Sequence, residues 1–133
     1  MIVMLLAALA SQAAVNGDSG VTNLRGRCQY SDAMAQFRQE ASLASCDSLA
    51  IDRAEATSSF DFSRRGWGSM VRFSGKISGQ RMAINRVQLR SGSSVEATGI
   101  CEIFYRGEKI FVVSCLARAG SKTYGANFVP SPL

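Results

Sequence analysis

The chain contains no histidine. Histidine is the commonest general base near neutral pH, the commonest zinc ligand and the middle member of the Ser-His-Asp triad, so all of these are excluded together. Proline is nearly absent too: there are two among 133 residues, Pro130 and Pro132. No proline-rich linker divides a chain whose length suits one domain. Charged residues are sparse at 19%, whereas apolar ones reach 47%, a balance that fills a core rather than leaving the chain disordered. There is also no glycine-rich phosphate loop and no calcium-loop pattern.

What is present begins with an uninterrupted apolar run, Ile2 to Ala10, followed by Ser11-Gln12-Ala13-Ala14. Small residues after a short apolar stretch suit signal-peptidase cleavage, and the run is too short for a stable membrane anchor. No basic residue precedes the run, which departs from the usual leader. The expectation is a signal peptide over 1–13, a flexible lead-in over 14–24 containing Gly17, Asp18, Ser19 and Gly20, and one disulfide-stabilised β-rich domain over 25–133. The expected location is the periplasm or the cell exterior.

Export makes Cys28, Cys46, Cys101 and Cys115 candidates for two disulfides. A metal site fits poorly, because no two cysteines are closely spaced and no histidine completes a ligand set; neither metal nor cofactor is expected. Cys101-Glu102-Ile103-Phe104-Tyr105 and Ile110-Phe111-Val112-Val113-Ser114-Cys115 read as strands around an Arg106 to Lys109 turn. If Tyr105 lies opposite Phe111, Ile103 faces Val113 and Cys101 faces Cys115, close enough for a cross-strand bridge. Cys28 then pairs with Cys46.

Ser31-Asp32 could cap a short helix over 32–42, in a stretch that carries Met34, Phe37, Ala41 and Ala44 at helical spacing. A second disulfide-closed hairpin over 28–46 is the alternative. Beyond it the pattern is β throughout: Ser48 to Arg53, Ser58 to Phe62, Ser69 to Ile77, Arg81 to Leu89, Ser94 to Tyr105, Ile110 to Ala117 and Thr123 to Val129. A tight Ser78-Gly79 turn sets Phe73 opposite Ile84, Gly75 opposite Met82 and Lys76 opposite Arg81. That register turns Val87 and Leu89 outward unless a bulge near Asn85 corrects it. The fold class is mainly antiparallel β, a six- to eight-stranded meander closed as a small sandwich or barrel.

Charge is unevenly distributed, since residues 1–61 carry 4 basic and 7 acidic side chains and residues 62–133 carry 11 and 3. Arg64, Arg65, Arg72, Lys76, Arg81 and Arg86 fall within one loop and one expected hairpin, and Trp67 sits beside the first two. These seven are the candidate ligand-binding residues. Crowded cations tolerate one another on a wet face or where an anion binds, and arginine, which outnumbers lysine 12 to 3, binds anions bidentately. Trp67 could stack on a sugar or base, or plug one end of the core. For catalysis only carboxylates such as Asp61, Glu96, Glu102 and Glu108 remain, and no spacing selects a pair.

The leading expectation is an exported binding module without catalytic activity, whose Arg-rich β face recognises a polyanion or another anionic envelope component. One alternative is an envelope assembly component that captures a partner protein along a β edge at Thr123 to Val129. A carboxylate-dependent hydrolase is another.

Overall fold

A computed structural model describes residues 20–32 and 41–131. The expected signal segment 1–13 and positions 33–40 of the expected helix lie outside the described residues. Among those described are nine strands: β1 (Gly20–Cys28), β2 (Ala41–Leu43), β3 (Ser48–Arg53), β4 (Ser58–Arg64), β5 (Gly68–Ser78), β6 (Arg81–Leu89), β7 (Ser94–Arg106), β8 (Lys109–Ala119) and β9 (Lys122–Pro130).

Alternation builds the wall. In Phe60-Asp61-Phe62 and Val71-Arg72-Phe73 every second side chain is apolar, and period-two geometry sends that set to one face. Phe60, Phe62 and Phe73 are fully buried, while Asp61 and Arg72 stay outside and pair with each other. Strands β3 to β9 form an antiparallel meander, and β1 pairs with β3 on one side and β9 on the other. An eight-stranded barrel results, the closed form of the two arrangements expected from sequence.

The ninth strand, β2, lies parallel to β9 at Thr123–Gly125, on the same edge that β1 uses at Phe128–Pro130. Residues 41 and 42 of the expected helix are therefore strand. Gly20 to Leu24, expected as lead-in, belong to β1 and pair with Arg53 back to Leu49. Partners distant in sequence order them.

Phe60, Phe62, Phe73, Phe128, Leu49, Ile51, Met82 and Ile103 fill the barrel axis. Burying each such side chain contributes about 1.5–3 kcal/mol relative to leaving it exposed. Phe62 and Phe73 meet edge to face at 5.8 Å between ring centroids. The interior is a packed core.

Both expected disulfides are present. Cys101 and Cys115 face each other across β7 and β8 within the core, and Cys28–Cys46 ties the end of β1 to the segment before β3. Ile103 faces Val113 as expected, but Tyr105 faces Ile110 rather than Phe111. A bulge at this point leaves Phe111 without a cross-strand partner and lets Gly107-Glu108 close a two-residue turn.

The β5–β6 register also needs correction. Gly79-Gln80, not Ser78-Gly79, forms the loop, so Ser78 pairs with Arg81. Moving the loop by one residue moves the register by two, so Lys76 faces Ala83 and Gly75 faces Ile84; the bulge beyond adds one more, and Phe73 faces Val87. The bulge expected near Asn85 does occur. Both ladders of β6 pass over Asn85, and Val87 is consequently buried.

Candidate functional site

The outward side chains on β5 and β6 take their neighbours from the adjoining strands, and for the three arginines among them one neighbour carries the opposite charge. Arg72 lies opposite Asp61 and bonds it at 2.9 Å; Arg81 lies opposite Glu102 and bonds it at 3.0 Å. Arg86 faces Glu96 and donates to Ser94 Oγ at 3.1 Å. Lys76 faces Ala83 and has no ion-pair partner among the described residues. Three of the four cations of this face thus lie opposite a carboxylate on an adjoining strand, and two of them are ion-paired with it.

Arg64, Arg65 and Trp67 occupy a different place, the β4–β5 turn at one end of the barrel. Gly66 and Gly68 bracket Trp67 with φ of 83° and 82°, a left-handed conformation that side-chain-bearing residues rarely adopt. Flanked in this way, the indole turns outward and is 53% exposed, so it does not plug the core. The turn itself is held. Trp67 N–H donates to the Arg64 carbonyl at 2.9 Å, and Arg65 N–H donates to the Asp47 carboxylate at 3.0 Å.

Sequence reasoning did not include Arg90 among the site residues. It follows β6 and reaches the same end of the barrel, where its guanidinium carbon lies 4.5 Å from the Trp67 ring centroid. That of Arg64 lies at 5.2 Å. Guanidinium groups at these distances are attracted by the indole quadrupole. Their N–H groups enter no ion pair among the described residues, and neither do those of Arg65. The site is two arginines against an exposed indole, Arg64 and Arg90, with Arg65 adjacent in the turn and Asp47 engaged by its backbone N–H.

Other readings fare differently. Asp61 and Glu96 stand three strands apart, about 14 Å at ~4.8 Å per strand, beyond the about 5–9.5 Å that separates glycosidase carboxylates. No three Cys, Asp or Glu side chains gather as a metal site among the described residues. Both edges of β9 are occupied, by β8 on one side and by β1 and β2 on the other, so Thr123 to Val129 offers no free edge. No helix among the described residues is long and apolar enough to cross a membrane.

Comparison with protein-family models, curated proteins and solved structures yields no match to this chain. The functional reading rests on the geometry alone.

Proposed function

We propose that the protein is an exported binding module of the periplasm or cell exterior, and that it holds an acidic glycan at the rim formed by Arg64, Arg65, Trp67 and Arg90. The observation carrying this reading is the exposed indole with two unpaired guanidinium groups against it. A sugar ring stacks on an aromatic face, and its carboxylate or sulfate accepts hydrogen bonds from arginine. The two disulfides suit an oxidising compartment, where such ligands are found. Among the sequence candidates, Arg72 and Arg81 are engaged with carboxylates, which favours the rim over the β5–β6 face.

Titration with heparin at two salt concentrations, followed through Trp67 emission, tests the proposal. Binding is expected to weaken as salt rises and to fall at least about tenfold in R64S/R65S/R90S, while R72S/K76S/R86S stays within about threefold of the parent. Salt-independent binding, or rim-variant affinity equal to that of the parent, would overturn it. Oligo-dT added as a competitor separates glycan recognition from general polyanion attraction.

A further inference from the structure

At the opposite end of the barrel from Trp67, the β7–β8 turn and the end of β9 border an open groove of about 690 Å3. That volume lies within the ~300–1,000 Å3 typical of small-molecule sites. Its apolar lining comes from Leu24, Ile110, Phe111, Val129 and Pro130. Arg106 and Lys109 also line it, with Glu108 the sole carboxylate. The Arg106 guanidinium carbon lies 3.9 Å from the Phe111 ring centroid, and neither cation enters an ion pair among the described residues. The bulge at Phe111 that displaced Tyr105 from its expected partner therefore supplies one wall.

We infer that this groove binds a single acyl chain ending in a carboxylate, a fatty-acid-like anion. The apolar lining receives the chain, and the net positive mouth selects the sign of the head group. The bordering strands are already paired, β7 with β8, β8 with β9 and β9 with β1, and Ser131 N–H extends the last seam to the Arg25 carbonyl. A peptide that docks by adding a strand finds no edge here, whereas an acyl chain needs none. This inference is independent of glycan binding at the other rim.

Calorimetric titration of the folded, oxidised protein with laurate, below its micellar concentration, provides the test. Laurate is expected to bind with one site, caprate about tenfold more weakly for its two missing methylenes, and acetate not at all. R106Q/K109Q should lose about tenfold for laurate, and F111S should weaken binding comparably. Trp67 emission should stay constant, because the indole lies at the far end. Equal affinity for dodecyltrimethylammonium, full laurate affinity in R106Q/K109Q, absence of laurate binding, or a change in Trp67 emission on binding would each overturn the inference. The charge variants alter exposed side chains, and an unchanged far-ultraviolet circular dichroism spectrum confirms that the barrel is intact.

Discussion

Gly99 shows how tightly single residues are constrained. A β-carbon there would lie 2.0 Å from the Leu116 carbonyl oxygen and 2.6 Å from Ala117 Cα, so two backbones approach where no side chain fits. At Gly125 the same added carbon meets the ends of Leu43 and Leu116 at 3.2 and 3.3 Å, and flexible side chains can give way. Gly99→Ala is thus expected to destabilise the protein by about 1–3 kcal/mol, and Gly125→Ala by less than half as much, read from chemical-denaturation midpoints. Equal costs would contradict the packing argument. Trp67 teaches a related lesson about the site. Arg64, Arg65, Gly66 and Gly68 are its neighbours in the chain, so that half of the cluster was visible in the sequence. Arg90 joins from a separate turn, brought there by the hairpins between, and only the alternation of meander turns between the two barrel ends could have pointed to it.

The hairpins from β3 onward were legible because their signals are local. Apolar and polar residues alternate through most of these strands, glycines mark the turns, and the misfit at Val87 and Leu89 announced the bulge at Asn85. β1 was hidden for the opposite reason. Gly-Val-Thr-Asn-Leu-Arg-Gly-Arg-Cys has little apolar alternation, and its ordering comes from pairing with β3 and β9. The Tyr105–Phe111 and Lys76–Arg81 misassignments came from turn length and turn position, which composition alone does not define. The disulfides sit differently with respect to solvent. Cys101 and Cys115 are sealed in the core, whereas Cys28 is only half-buried. Low-millimolar reductant without denaturant should therefore open Cys28–Cys46 first, as seen by alkylation and peptide mass mapping, with Cys101–Cys115 surviving until the barrel unfolds. The reverse order would contradict the burial argument. Each bridge closes a comparable stretch, with separations of 18 and 14 residues, and is expected to contribute about 3 kcal/mol.

For the whole molecule, the governing fact is how barrel closure redistributes charge. In the sequence, residues 62–133 carry a large basic excess. On the outer face of β4 to β7 much of that excess is offset, because Asp61, Glu96 and Glu102 come from adjoining strands to lie opposite Arg72, Arg86 and Arg81, while Lys76 faces Ala83. The hidden quantity was register. Basic side chains outside this face include Arg64, Arg65 and Arg90 around Trp67, and Arg106 and Lys109 at the other end. Amide chemical-shift mapping of the protein with a heparin hexasaccharide tests the central claim most directly. The account predicts shifts concentrated at Arg64 to Gly68 and Arg90 to Ser93, with Arg72, Lys76, Arg81 and Arg86 little changed. Shifts centred on those four face residues, or spread evenly over the barrel, would contradict it.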